Sequence, residues 1–289
     1  MQIQENSSLK GKTTMRIGGN ARWYAELRTK EDVAEAVVFS EEQEVPLIIL
    51  GGGSNTIFAD GTINALVARL ACDAVTIEDD TVTVEAAKNL PTLINELAAQ
   101  GLDLSALTGI LGTVGGAVFG NAGQGPKGIW LDTFVQSVTV YGNGTWRTFS
   151  KKECEFSYRE SIFKRLDPAP IIWSVTLKLP RKDPAEIKAE IERLLKKRIE
   201  TQPHIKTAGS CFKAVGDTPA WQLIDAVGLR ATKTGGVRIS EKHANFLIND
   251  GNGTFADAVN VVHTIKSAIP QKLEVEMRFI EESGDTIEW

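Results

Sequence analysis

Three short segments of this chain carry side chains able to do chemistry. In Ser157-Tyr158-Arg159-Glu160-Ser161 an arginine stands between two β-type regions. Its fixed charge and planar fork suit a phosphate clamp or the stabilisation of a developing oxyanion. It could equally pair with Glu160 or a backbone carbonyl. Residues 207–213 read TAGSCFK, with Ser210 after a glycine and Cys211 beside it. No GxSxG elbow surrounds Ser210, which argues against a hydrolase nucleophile. A desolvated and supported hydroxyl could instead donate a proton, whereas Cys211 reads as a small core residue. Residues 273–279, LEVEMRF, alternate apolar and charged side chains. A strand of that pattern turns Glu274 and Glu276 to one face, either towards water or into a cleft. His204, His243 and His263 lack metal-ligand spacing, so no metal is expected.

Two glycine-rich stretches must lie close to whatever these groups act on. Between Gly109 and Gly123 the chain reads GILGTVGGAVFGNAG, with six glycines and no charge. Glycine costs backbone entropy, so an apolar stretch this rich in it implies close backbone packing against a β-rich corner or a bound group. The second stretch, Gly51-Gly52-Gly53-Ser54-Asn55-Thr56, follows the apolar run Pro46–Leu50. Consecutive peptide N–H groups in such a turn can form a nest for an anion. The GxGxxG spacing of a dinucleotide-binding helix is absent, and Gly11-Lys12-Thr13 lacks the upstream glycine of a Walker A loop. Phosphate binding by another route stays open.

The elements that position these segments follow from periodicity. Residues 21–28 read as a strand, 31–43 as a helix, and the run to Leu50 as a further strand, a β-α-β unit ending in the glycine turn. Short β-type runs dominate from about Ala65 to Leu179, interrupted by a helix near 90–100. Asp183-Pro184 supplies an N-cap and a first-turn proline. The helix behind it carries Ile187, Ile191, Leu194, Leu195 and Ile199 at helical spacing, with Lys196, Lys197 and Arg198 on a face expected to be solvated. Further helices are expected near 218–226 and 254–267. The 289 residues suffice for about two domains, and 42% hydrophobic with 24% charged residues is ordinary for a globular chain. A net charge of -5 argues against a nucleic-acid-binding surface. No apolar run reaches membrane-spanning length, no signal-peptide core opens the chain, and Cys72, Cys154 and Cys211 suit reduced thiols in a cytoplasm.

The order of the motifs resembles that of the UDP-N-acetylenolpyruvoylglucosamine reductase family, flavoenzymes of bacterial peptidoglycan precursor synthesis. The resemblance runs through TTMRIGGNARWYAEL at 13–27, LGGGSNTIF at 50–58, GTVGGAVFGNAG at 112–123, YRESIFK at 158–164, AGSCFK at 208–213, GGVRISEKHANFLIN at 235–249 and LEVEMRFI at 273–280. It implies an α+β chain with a two-subdomain FAD-binding fold of the vanillyl-alcohol-oxidase/PCMH type, then an α/β substrate-binding domain. The corresponding divisions are 1–71, 72–182 and 183–289. It also implies FAD and NADPH as cofactors and a UDP-N-acetylglucosamine enolpyruvate substrate. Gly51, Gly52, Gly53, Ser54 and Asn55 would hold the FAD pyrophosphate. Gly112, Thr113, Gly115, Gly116, Asn121, Ala122 and Gly123 would pack along the cofactor. Arg159 matches the family's catalytic arginine, Ser210 its proton donor and Glu276 its orienting glutamate, with Tyr158 and Lys213 as substrate contacts.

The chain also departs from the family pattern. Ala214 stands where FKNP supplies a substrate-contacting asparagine, Leu111 replaces a common proline, and the stretch from Lys266 to Glu276 is short. YRESIFK runs quickly into IIWSVTLKL, leaving no room for the tyrosine-bearing loop of one subtype, so the chain resembles the loop-lacking subtype. The resemblance implies a cytoplasmic enzyme, expected to be monomeric. An oxygen-using sugar or lactone oxidase on the same fold and a non-catalytic flavin- or UDP-sugar-binding paralogue remain as alternatives.

Overall fold

A computed structural model describes residues 1–125 and 127–289. The first part opens with β1 (Ile3–Ser8), β2 (Asn20–Leu27), α1 (Lys30–Glu42), β3 (Leu47–Ile49), β4 (Thr56–Phe58) and β5 (Thr62–Leu70). Their sheet has the order β1-β2-β5-β3, with β2 and β3 both parallel to β5. α1 starts where it does because the Thr29 hydroxyl and the Asp32 carboxylate satisfy each other's backbone N–H groups in a capping box. β3 delivers the chain directly into the Gly51–Asn55 turn, and a strand, not a helix, follows that turn.

The second part contains β6 (Val75–Glu78), β7 (Thr81–Glu85), α2 (Leu90–Ala99), α3 (Val114–Phe119), β8 (Val135–Gly142), β9 (Thr145–Ser150), α4 (Ile162–Arg165) and β10 (Ile171–Lys178). All pairings in its sheet, ordered β6-β7-β10-β8-β9, are antiparallel. Period-two burial explains the β-type runs: Val82 and Val84 of β7 are fully buried, while Thr83 between them is exposed. The apolar face packs on α2 through Leu93 and Leu97, and on α5 (Pro184–Thr201) through Ile187 and Ile191. The helix expected to open the C-terminal part therefore shares the core of the second part.

The remainder comprises α6 (Ala220–Ala226), β11 (Lys233–Thr234), β12 (Val237–Ile239), β13 (Leu247–Asn249), α7 (Phe255–Ala268) and β14 (Arg278–Ile280). β11, β12 and β13 form a small antiparallel sheet against α7, whose Ala258, Val261, Val262 and Ile265 are buried. β14 leaves this part and pairs in parallel with β4 near the start of the chain. Only the end of the alternating segment is thus a regular strand. Residues 273–277 instead run beside residues 211–213, where Lys213 N–H donates to Glu274 O at 2.9 Å and Glu276 N–H to Cys211 O at 2.7 Å.

Buried Asn249 ties the chain's ends together. Its amide donates to Met15 O at 3.0 Å, and its carbonyl accepts from Gly251 N–H at 2.8 Å and Gly253 N–H at 2.9 Å. Asn249→Ala strands those groups away from water. It is expected to lower stability by about 1–3 kcal/mol, read as a lower urea midpoint.

Candidate active site

The three parts meet around one cleft of about 1080 Å³, at the large end for a small-molecule site. Gly51, Gly52, Gly53, Ser54 and Asn55 border it, as do Gly112, Thr113, Gly115, Gly116, Ala122 and Gly123. The loops touch: a Cβ on Gly52 would lie 2.7 Å from Gly112 Cα, and one on Gly51 2.8 Å from Thr113 Oγ1. Close backbone approach is what demands glycine here. Gly53 has φ +65°, and the N–H groups of residues 51–55 make no hydrogen bond among the described residues. A neutral turn with free N–H groups, opening on a cleft of this size, fits the pyrophosphate of a dinucleotide such as FAD. Asn55 also reaches across the chain, donating from Nδ2 to Glu276 O at 3.0 Å.

Arg159, Ser210 and Glu276 all border the same cleft. Arg159 sits in a tight turn closed by paired 3.1 Å hydrogen bonds between Ser157 and Glu160, and its φ is +59°. Its Nη2 donates to Gly123 O at 2.8 Å, and its Nε lies 2.8 Å from Glu276 Oε1. That contact is an ion pair poorly directed for a hydrogen bond, and Nη1 is buried with no partner among the described residues. Burial pushes the Glu276 carboxyl up, against the opposing charges of Arg159, Lys164 and Lys213. Ser210 is placed by its neighbours. The segment that follows it is held by Asn245, which accepts from Phe212 N–H at 3.0 Å and donates to Phe212 O at 2.8 Å, and by residues 274–276 on the other side. Cys211 is fully buried, and burial first, then Glu276, raises its thiol pKa.

Tyr158 and Lys213 also border the cleft, in more tethered form than sequence suggests. Tyr158 Oη accepts the Ala214 N–H at 3.2 Å. Lys213 Nζ donates to Glu160 Oε1 at 2.6 Å and to Glu274, so two of its three donors are committed. Burial lowers the Lys213 pKa, and these carboxylates more than reverse that. Two expectations change. Asn121 is fully buried and does not border the cleft; its amide donates to Ser157 O at 2.9 Å and its carbonyl accepts from Asp132 N–H at 3.0 Å. It braces the Arg159 turn from behind. Arg198 is not on a solvated face: it lines the cleft, with its stem packed where Gly109 lacks a side chain.

Burial, then the charge of Arg159, pushes the Arg198 pKa down to about 10. His243, also in the cleft wall, is held neutral: burial, then Arg230 and Arg198, push it down to about 4. Arg278 lines the cleft too, its pKa lowered by burial, and has no ion-pair partner among the described residues. A cleft wall with this many cations and few matching acids is built for an anion. The lysine-rich stretch of α5 hid Arg198, and nothing in the spacing marked His243.

Glycine at position 52 is required by contact alone, so Gly52→Ala should force the loops apart. Purified Gly52→Ala protein is expected to lose most of its FAD while keeping wild-type far-ultraviolet dichroism. The flavin-to-protein absorbance ratio measures this.

The FAD binding domain family matches residues 21–150, and the family described as UDP-N-acetylenolpyruvoylglucosamine reductase, C-terminal domain, matches residues 201–279. The UDP-N-acetylenolpyruvoylglucosamine reductase of Moorella thermoacetica is 34% identical over 280 residues, covering 96% of this chain and 91% of that protein. The Enterococcus faecalis enzyme of that name is 35% identical over 273 residues, covering 93% and 90%. The crystal structure of UDP-N-acetylenolpyruvylglucosamine reductase from Thermus caldophilus superposes with a TM-score of 0.85 at 32% identity, covering 96% of this chain and 99% of that one. With the glycine cleft and the full-length match together, this chain, an α+β protein with an FAD-binding fold, belongs to the UDP-N-acetylenolpyruvoylglucosamine reductase family.

Proposed function

We propose that the protein is an FAD-dependent oxidoreductase that uses NADPH to reduce UDP-N-acetylglucosamine enolpyruvate to UDP-N-acetylmuramate, a step of peptidoglycan precursor synthesis. One observation carries the chemistry: the Arg159–Glu276 pair, with a buried guanidinium donor still free, borders the glycine-lined cleft that Ser210 also borders. The relatives matched bear the reductase name, which does not favour the oxidase reading.

Bound FAD would supply the hydride chemistry, relaying hydride from NADPH to the terminal vinyl carbon of the enolpyruvyl ether. The protein must then manage the charge and the proton. Negative charge builds on the carboxylate-bearing side of the substrate, and the fixed positive charge of Arg159 faces it without reorganising. Ser210 Oγ–H delivers the proton to the neighbouring carbon, balancing the hydride and completing the saturated ether. Glu276 holds the guanidinium from the opposite side. Gly51 to Asn55 would hold the FAD pyrophosphate, with the 112–123 loop along the cofactor. Tyr158 and the remaining donor of Lys213 would bind substrate, Arg198 and Arg278 would attract phosphates of the nucleotides, and neutral His243 would donate a hydrogen bond.

The divisions 1–71, 72–182 and 183–289 are proposed on the ground that each holds a sheet of its own, with α5 at the start of the last packed on the core of the second. A cytoplasmic monomer is proposed as well; no helix among the described residues is long and apolar enough to cross a membrane, and all three cysteines are buried and free.

Rapid-mixing measurement of the two half-reactions tests the assignments. Ser210→Ala is expected to be reduced by NADPH at nearly the wild-type rate and reoxidised by the enolpyruvyl substrate roughly 10²–10⁴-fold more slowly. Arg159→Lys keeps a charge but loses the fork, and should slow the same step roughly 10²–10³-fold. Equal losses in both steps would remove the assigned roles.

A further inference from the structure

Arg159 occupies a backbone position that the chemistry of its turn disfavours. With hydrogen bonds between Ser157 and Glu160 in both directions, it is the third residue of a four-residue turn, where φ +59° normally calls for glycine or asparagine. A long charged side chain held there persists only if its surroundings fix it. The turn is braced at Ser157 by Asn121 and at Ser161, whose Oγ donates to Phe119 O at 2.7 Å. The carbonyl of Arg159 itself is met by a different group, the Lys164 ammonium, at 2.7 Å.

We infer that Lys164 is a positioning residue for the reduction of the enolpyruvyl substrate, its ammonium locking the Arg159 carbonyl so that the guanidinium stays between Gly123 O and Glu276. The inference rests on the role proposed for Arg159 above. Lys164 is carried by the single turn of α4 and its side chain is only 25% exposed, so it is not a freely solvated lysine. The same ammonium lies 3.5 Å from Glu160 Oε1, and Glu160 in turn binds Lys213, which binds Glu274. The charged groups around it are therefore Glu160, Glu276, Arg159 and Lys213, with Glu274 beyond Lys213. Burial lowers the Lys164 pKa, with Glu160 opposing, while the ammonium is among the charges that restrain the rise of the Glu276 pKa. One lysine thus fixes the geometry of the arginine and favours the ionised state of its partner.

A lysine that merely stabilised the turn would, when removed, depress the rate equally at every pH. A positioning lysine that also sets the Glu276 charge gives a different pattern. Ionised Glu276 is the form that pairs with Arg159. Loss of a nearby cation raises the Glu276 pKa, so the acid limb of the pH profile moves to higher pH. The experiment compares holoenzyme Lys164→Met and Lys164→Arg with wild type and Arg159→Lys in both half-reactions across pH.

Lys164→Met is expected to be reduced by NADPH within about twofold of wild type. It should be reoxidised by UDP-N-acetylglucosamine enolpyruvate roughly 10–100-fold more slowly, the range for losing a charged hydrogen bond. Its acid limb should be displaced upward, and Lys164→Arg should return that limb to the wild-type position. If Lys164→Met fails to retain FAD, Lys164→Gln supplies the same neutral substitution. A wild-type reoxidation rate and limb in the neutral variant, or a loss uniform across pH, overturns the inference while a slow Arg159→Lys enzyme leaves the proposed function standing. Normal reoxidation in Arg159→Lys overturns the role of Arg159 itself, and with it the ground for Lys164.

Discussion

A guanidinium and a carboxylate, only 15% and 17% exposed, face each other where the second part of the chain meets the segment leading into the last strand. Burying such a pair contributes little to stability, because desolvation offsets much of the attraction. Its presence is better explained by what it constrains. Arg159 comes from a turn braced by Asn121 and Lys164, and Glu276 from a segment stitched to Cys211 and to Asn55 of the first glycine loop. The pair can form only if all three parts are docked. Cofactor loop, arginine and glutamate are in this way one mechanical unit.

The same logic explains the glycines. The turn at 51–55 and the loop at 112–116 approach so closely that a single Cβ would meet opposing backbone. The N–H groups of residues 51–55 are left without partners among the described residues, beside a cleft whose other walls carry Arg159, Arg198 and Arg278. An extended anionic dinucleotide fits between neutral donors on one side and cations on the other. The low pKa of His243 follows from this wall, since burial and neighbouring arginines both disfavour a further positive charge.

Much of the fold was legible in sequence because its signals are local. Asp183 with Pro184 marks a helix start, and the helices expected over 31–43 and 254–267 begin within about a residue of Lys30 and Phe255, where the structure shows capping boxes at Thr29 and Thr254. The β-type runs of the second part do fold as strands, and the structure pairs them in one antiparallel sheet. What sequence did not reveal depends on long-range geometry. β14 pairs with β4 across more than two hundred positions, so residues 273–277 are held by pairing with 211–213, not by their own alternation. Arg198 looked like part of a basic helix face, because no periodicity tells which turn of α5 overlooks a cleft. Asn121 sits inside a glycine motif yet faces away from the cleft, and Lys164 acts on a carbonyl five residues earlier, through a turn whose left-handed φ no residue type announces.

The most direct measurement is an anaerobic titration of the wild-type holoenzyme, following the oxidised-flavin absorbance. NADPH is added to bleach it, then UDP-N-acetylglucosamine enolpyruvate is added in excess. Bleaching followed by full recovery, with UDP-N-acetylmuramate formed in an amount equal to the flavin reoxidised, is the expected result. Bleaching with no recovery would show that the reduced flavin in this cleft does not act on that enolpyruvyl sugar nucleotide, and would contradict the function proposed for Arg159, Ser210 and Glu276.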